Sequence, residues 1–246
     1  MKKFIKIIII LLIICIISKE DVKAEAINEY YSNYYGINIP INQYNELKKY
    51  YTESFIYTMN EEEYENIMKN DLKNIVVTEA NDFINMSGIV PYTTSFSTSY
   101  KTIRIVNNNG YITLSLVWKT MPKIRSYDVI AVRFNGVSVS GATNFKQTYV
   151  KNGYTYISYT GTKKEFSNGF GYSFKLSENN YLESSLSFWV SGKGTIYGSY
   201  QHAHRATTLN QSKKYSLSSS GYGRVILFES SVKSYYDAMS GVSINV

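Results

Sequence analysis

The two histidines of the chain, His202 and His204, are the first candidates for a chemical role. Residues two apart in a strand point to the same face, so both imidazoles could chelate a metal ion. The nearest candidates for a third ligand are Glu183 and Glu178, and Glu183 points to the opposite face. We therefore predict structural histidines, hydrogen-bonded to backbone at a sheet end, with metal binding as the weaker alternative and no cofactor.

Carboxylates are the second candidates, because a glycosidase needs two of them about 5 to 10 Å apart. The chain after residue 90 contains six: Asp128, Glu165, Glu178, Glu183, Glu229 and Asp237. Asp128 lies three residues after Arg125 and alternates in phase with Ile130, which favours a structural ion pair or a turn cap. The sequence has no Gly-x-Ser-x-Gly motif for a nucleophilic serine. We therefore expect no enzymatic activity, and a metal- or carboxylate-dependent hydrolase is the least favoured alternative.

An aromatic pair is the third candidate, and the predicted binding function depends on it. Residues 191–195 predict a hairpin with a three-residue loop, which sets Trp189 directly opposite Tyr197 on a face rich in serine and threonine. Two facing rings form a flat platform that stacks on sugar rings or inserts into a partner's surface. Lys193 and Arg205 would supply positive charge for an anionic ligand. Alternatively, a second sheet or a helical segment covers this face, and the pair is core.

The elements that must position these side chains are mostly strands. Apolar and polar residues alternate in stretches such as 111–118, with a buried Trp118, and 170–176. Three turn signals separate such stretches: Asn107-Asn108-Asn109-Gly110, Asn135-Gly136 and Lys151-Asn152-Gly153. Roughly ten strands at this spacing predict an antiparallel β-sandwich, or a related barrel, over residues 91–246.

The segment 27–90 carries helical signals instead. Asn42 can cap a first short helix, and residues 52–59 indicate a second. Asn60 with Glu63 three residues later is a capping-box pattern that opens a third helix. We predict a small N-terminal cluster of short helices that packs against the β-sandwich.

The first 26 residues have the three parts of a secretory signal peptide. Lys2, Lys3 and Lys6 precede an eleven-residue apolar run at 7–17, and alanines follow at two possible cleavage sites. Eleven apolar residues are too few to span a bilayer, which needs about 20. Cleavage would remove Cys15, the only cysteine, so the exported chain would form no disulfide. We predict an extracellular, secreted protein.

Charge is unevenly distributed between the two parts of the chain. Residues 27–86 contain four lysines and ten acidic residues, whereas residues 87–246 contain seventeen basic and six acidic residues. Either the acidic segment docks on the basic part, or the basic part meets an anionic polymer or surface. Outside a cell such a ligand is a wall polymer, a lipid head group or an acidic glycan more readily than nucleic acid.

Three stretches, 118–130, 198–203 and 235–241, resemble small, uncharacterised secreted proteins of Gram-positive bacteria. The resemblance covers most of the chain after the signal peptide. It implies secretion and a β fold, and it carries over no site residue.

The sequence therefore predicts a secreted, non-enzymatic β-sandwich protein that binds a cell-surface glycan, a wall polymer or a protein partner. A membrane-acting, pore-forming protein is the main alternative. Residues 93–102 are rich in serine and threonine and also contain Phe96 and Tyr100, so they could refold into an amphipathic membrane hairpin.

Overall fold

A computed structural model describes residues 29–70, 72, 93–97, 100–219, 225–237, 239 and 241–246. The predicted signal peptide and the predicted boundary at residue 90 lie outside the described residues. None of the described helices is long and apolar enough to cross a membrane.

The described chain is mainly β, as predicted. The strands are β1 (Tyr30–Ser32), β2 (Asn38–Pro40), β3 (Thr93–Ser97), β4 (Lys101–Asn108), β5 (Tyr111–Trp118), β6 (Tyr127–Lys151), β7 (Tyr154–Ser158), β8 (Thr162–Phe166), β9 (Gly169–Lys175), β10 (Tyr181–Gln201), β11 (Tyr215–Leu217), β12 (Ile226–Phe228) and β13 (Val242–Asn245). The helices are α1 (Ile41–Leu47), α2 (Glu53–Tyr57), α3 (Glu61–Met68), α4 (Leu209–Ser212) and α5 (Ser230–Lys233).

One antiparallel sheet of nine strands dominates the fold. Its order is β3-β4-β5-β10-β6-β9-β8, with β7 added to β6 and β13 added to β10. Two small sheets, β1-β2 and β11-β12, accompany it. The prediction of an antiparallel, mainly β fold is confirmed, although its strands form one large open sheet. In the segment that the pore-forming alternative invoked, β3 pairs with β4.

The predicted hairpin at 191–195 is wrong, because β10 runs unbroken through it. Its partner is β6, which pairs with β10 from Tyr181↔Val150 to Gln201↔Val129. The predicted turn at Asn135-Gly136 is also wrong, because β6 continues through these residues alongside β10. The glycines lie at bulges in this long ribbon: the register shifts between Gly192 and Thr195, and Gly136 and Gly192 have φ of +80° and +98°. A bulge needs the same backbone freedom as a tight turn, so glycine marks both.

Each half of the ribbon carries its own neighbours, so the sheet has two arms. The first arm contains β5 against the first half of β10 and β7 against the end of β6. The second contains β13 against the second half of β10 and β9 against the start of β6. Inner faces of both arms share one core, in which the Phe188 and Phe170 rings lie 5.2 Å apart. The predicted inward residues Trp118, Phe170 and Phe174 are all buried.

Two predicted hairpin turns are confirmed. Asn109 and Gly110 join β4 to β5, and Asn152 and Gly153 join β6 to β7. All four residues have positive φ, which is the conformation that a two-residue turn of this kind needs and that Asn-Gly favours.

The N-terminal helices follow their local capping signals with one exception. Asn60 accepts a hydrogen bond from the Glu63 backbone N–H, and the Glu63 carboxylate accepts one from Asn60, so the capping box is confirmed. Thr52 caps α2. The prediction that Asn42 caps α1 is wrong, since the N-cap is Pro40, two residues earlier, and Asn42 lies within the first turn of the helix.

The acidic helical segment docks on the outer face of the first arm. Leu47, Phe55 and Ile67 share a core with Val106 and Tyr111 of the sheet. Lys146 of β6 forms a buried ion pair with Glu63, 2.6 Å from Nζ to Oε2. Docking of the acidic part on the basic part, one of the two explanations of the charge asymmetry, is therefore present in the fold.

Candidate functional site

Trp189 and Tyr197 do not form the predicted platform. Both lie on β10, eight residues apart, which corresponds to about 26 Å of strand. Trp189 pairs with Tyr111, 5.2 Å between ring centres, and packs on the helical segment. Tyr197 pairs with Arg133, whose guanidinium lies 4.0 Å from the ring centre. The predicted pairing of Trp189 with Tyr197 is wrong because it depended on a hairpin at 191–195 that does not form. The helical segment covers Trp189, which agrees with the alternative in which this residue belongs to a core.

The two predicted cationic residues are exposed but are not brought to that pair. Lys193 lies in the bulge opposite Gly136. Arg205 follows the end of β10 and lies over the Tyr235 ring at 5.7 Å.

His202 is buried, and its imidazole bonds to a carboxylate instead of the backbone group that the sequence suggested. Its Nδ1 lies 2.9 Å from Asp128 Oδ2, and the Ala203 backbone N–H donates to Asp128 Oδ1 at 2.9 Å. His204 is exposed, because β10 ends at Gln201 and strand alternation ends with it. In the part of the chain that the structure describes, no three His, Cys, Asp or Glu side chains are arranged to hold a metal ion.

Asp128 is the centre of this buried polar cluster. Tyr200 also donates its hydroxyl to Asp128, and burial holds the pKa of Tyr200 well above its ordinary value. The predicted ion pair between Asp128 and Arg125 is wrong. Arg125 instead donates to the backbone oxygens of Ser177 and Asn179 at 2.9 and 3.2 Å.

A second ion pair extends the cluster to two further segments. Lys101, at the start of β4, pairs with Asp237, whose other oxygen accepts from the His202 backbone N–H at 3.1 Å. An imidazole bonded to a carboxylate supplies two of the three members of a nucleophile-activating triad. Among the described residues, however, no hydroxyl bonds to the other ring nitrogen of His202. The cluster therefore ties β4, β6, β10 and the chain near residue 237 together.

A stacked tyrosine pair that was not singled out from the sequence lies on the β6-β7 hairpin, with Tyr156 exposed and Tyr149 half-buried. Tyr149 and Tyr156 are directly opposite each other in the antiparallel register. Their rings stack, with centres 5.5 Å apart and planes at 13°, and Tyr156 is 42% exposed. The signal was present, because a two-residue turn at Asn152-Gly153 fixes this pairing.

The pair borders a surface groove of about 500 Å³, which we call the tyrosine groove. Its lining consists of Tyr127, Tyr149, Lys151, Ser158, Thr160, Gly161, Thr162, Ser173, Lys175, Leu176, Ser177, Glu178, Asn179 and Leu209. Tyr156 stands beside this lining. The volume lies within the usual range for small-ligand sites, about 300 to 1,000 Å³.

The groove rim is held in place by buried or partly buried groups. Gln147 accepts from the Ser177 backbone N–H and hydroxyl at 3.0 and 2.6 Å. Arg125 anchors the same rim through the backbone bonds described above. The two exposed lysines, Lys151 and Lys175, form no ion pair with any residue that the structure describes. The groove thus offers an aromatic face, hydroxyl and amide groups, and two cations.

A scan against protein-family models and a search of curated proteins found no match for this chain.

Proposed function

We propose that the protein is a secreted, non-enzymatic binding protein whose tyrosine groove takes a cell-surface glycan or wall polymer. The observation that carries the proposal is the stacked pair of the exposed Tyr156 and the half-buried Tyr149 at the edge of a groove with two lysines that form no ion pair with any described residue. The same chemistry that the sequence suggested for Trp189 and Tyr197 is thus available at a different pair.

The groove chemistry suits a sugar better than an apolar ligand. A sugar ring has an apolar face of C–H groups, which an aromatic ring covers, and an edge of hydroxyls, which polar side chains bind. Ser158, Thr160 and Asn179 are placed along the lining to provide such hydrogen bonds. A protein ligand presents fewer hydroxyl groups per unit of surface than a sugar does, so the hydroxyl side chains of the lining suit a sugar better.

Binding is favoured over hydrolysis by the distribution of carboxylates. Glu178 is the one carboxylate among the described residues that line the groove. A two-carboxylate mechanism needs a partner across the scissile bond. Asp128 and Glu183 are fully buried and committed to hydrogen bonds elsewhere.

We also infer that the two arms of the sheet act as the two layers of a β-sandwich. Their shared core supports this, as does the close approach of Gly198 to Leu114, where an added Cβ would lie 2.5 Å from the leucine Cδ1. A rigid two-layer body would hold the groove walls at fixed spacing and limit the ordering cost of binding.

The test is retention of purified protein on insoluble wall polysaccharides, followed by binding isotherms on any that retain it. Tyr156→Ala removes the exposed ring of the pair. An aromatic stacking contact contributes about 0.5 to 1.5 kcal/mol beyond area burial, so we expect about a tenfold loss of affinity. Tyr30→Ala is the matched control, because Tyr30 is 53% exposed and belongs to β1.

Circular dichroism melting should be unchanged in both variants, since neither ring is buried. Equal retention of Tyr156→Ala and wild type would refute the role of the groove.

A further inference from the structure

A second groove of about 560 Å³ lies along β6 toward the bulges of the central ribbon. We call it the distal groove. It is lined by Phe134, Gly136, Val137, Ser138, Val139, Gly141, Thr143, Lys163, Glu165, Phe166, Ser167, Asn168, Gly169 and Phe170. Like the tyrosine groove, it has β6 on one side and the β8-β9 hairpin on the other.

Strand pairing explains why there is room for this groove. On the edge of β6 away from β10, β9 pairs through Arg133 and β7 pairs from Gln147 onward. Between these two positions the only described strand paired with β6 is β10, although the Phe134 backbone N–H also donates to the Asn168 oxygen of the β8-β9 turn at 2.8 Å. The β8-β9 hairpin stands across the resulting gap and forms the opposite wall.

A buried pair of aromatic rings, Phe145 and Tyr172, lies beside one lining residue of each groove. The Tyr172 ring stacks on Phe145 at 5.2 Å between centres, and its hydroxyl lies 2.9 Å from Thr143 Oγ1. Thr143 lines the distal groove, and Gly161, which lines the tyrosine groove, packs on the same two rings. A Cβ on Gly161 would lie 2.7 Å from the Phe145 ring, so only glycine fits there without movement. The rings themselves line neither groove, but each groove has one lining residue beside them, Thr143 in the distal groove and Gly161 in the tyrosine groove.

The distal groove repeats the mixed chemistry of the first. Phe134 and Phe166 are half-buried and provide apolar surface, whereas Ser138 and Ser167 are exposed hydroxyls. Lys163 is already paired with Glu165, 2.7 Å from Nζ to Oε1, so the ammonium is partly neutralised. Tyr149 and Val139, at the two sites, are ten residues apart on β6, which is at most about 33 Å.

We propose that the two grooves are subsites for one ligand, a linear polysaccharide chain long enough to pass from the tyrosine groove to the distal groove. This rests on the proposed function and specifies its ligand as a polymer that a short oligosaccharide does not replace. Once one part of the polysaccharide is bound in the first groove, binding of another part in the second groove is an intramolecular event. A modest second contact therefore raises the total affinity by at least about tenfold.

The test compares a long wall polysaccharide that the wild type retains with short fragments of the same polymer. Ser138→Tyr places a bulky ring in the distal groove from an exposed strand position that accepts tyrosine. Ser140→Tyr is the matched control, because Ser140 is exposed on the same strand and is absent from the groove lining. We expect Ser138→Tyr to lose about tenfold in affinity for the long polymer and to bind short fragments like wild type, with Ser140→Tyr unchanged on both.

Equal affinity of the two serine variants for the long polymer overturns the second subsite. Loss of long-polymer affinity in Ser138→Tyr with normal binding by Tyr156→Ala would leave the distal groove as a binding site but refute the tyrosine groove, and with it the two-subsite proposal. Short fragments that bind the wild type as tightly as the long polymer would also overturn the proposal, because a chain spanning two subsites must gain from length.

Discussion

The buried pair of Lys146 and Glu63 provides the sharpest test of how the helical segment is held. Their side chains are 4% and 2% exposed, and the Lys146 ammonium also donates to the Thr58 backbone oxygen at 3.0 Å. Lys146→Met keeps the length of the side chain and removes its charge, which leaves the Glu63 carboxylate buried without a counter-charge. Breaking a buried pair in this way costs about 3 to 5 kcal/mol. A domain has about 5 to 15 kcal/mol of stability in total, so the loss is large.

The second substitution distinguishes an ionic effect from a packing effect. Glu63→Gln keeps the capping box, since glutamine can replace glutamate at that helix position. In the double variant no buried charge is left unpaired, so we expect most of the lost stability to return. Urea unfolding followed by tryptophan fluorescence measures this, because one of the two tryptophans, Trp189, packs on the helical segment. Lys49→Met is the control, since Lys49 forms an exposed pair with Glu46.

A cost of less than about 1 kcal/mol for Lys146→Met would refute the reasoning. So would a double variant no more stable than the single one, because the effect would then come from lost packing on the Phe55 ring, 4.2 Å from the ammonium.

Three other predictions concern stability. Burial raises the pKa of the Glu183 carboxyl above its ordinary 4.5, so the wild type loses stability as the pH rises from 4.5 through the raised pKa. We therefore expect the stability of Glu183→Gln relative to wild type to be greater at pH 8 than at pH 4. A difference in the free energy of urea unfolding that does not change with pH would contradict this. Asp128→Asn should lower the free energy of unfolding by about 1.5 to 3 kcal/mol, because it weakens the hydrogen bond to His202. Thermal melting measures this, and an unchanged melting curve would show that the cluster does not stabilise the fold. Gly192→Ala should lower the melting temperature of the protein more than Gly153→Ala does. Both glycines have positive φ, but only a Cβ at residue 192 would lie against backbone, 2.9 Å from the Gly136 oxygen. Equal melting temperatures of the two variants would argue against the bulge.

Local features of this fold were predictable because their determinants lie within a few residues. The Asn60 and Glu63 capping box needs only one helical turn. The Asn109-Gly110 and Asn152-Gly153 turns need only residues that accept positive φ. The Tyr149 and Tyr156 pairing follows from the second turn by counting, so the aromatic half of the candidate site was also available from the sequence.

Tertiary structure decided what the glycines at 192 and 194 do. Alternation of apolar residues along β10 is satisfied equally by a hairpin onto itself and by a long partner strand, since both place every second residue on the core face. Only β6, paired along nearly its whole length, selects the second arrangement.

The same non-local pairing decided the site. Local sequence patterns were sufficient for the mainly β composition, for the capping box of α3 and for the β6-β7 turn, and hence for one tyrosine pair. The position of Trp189 under the helices, the opposite wall of the tyrosine groove and the buried partners of His202 required contacts between residues far apart in the chain. Such contacts depend on which strands meet, and periodicity along a single strand carries no information about its distant partner.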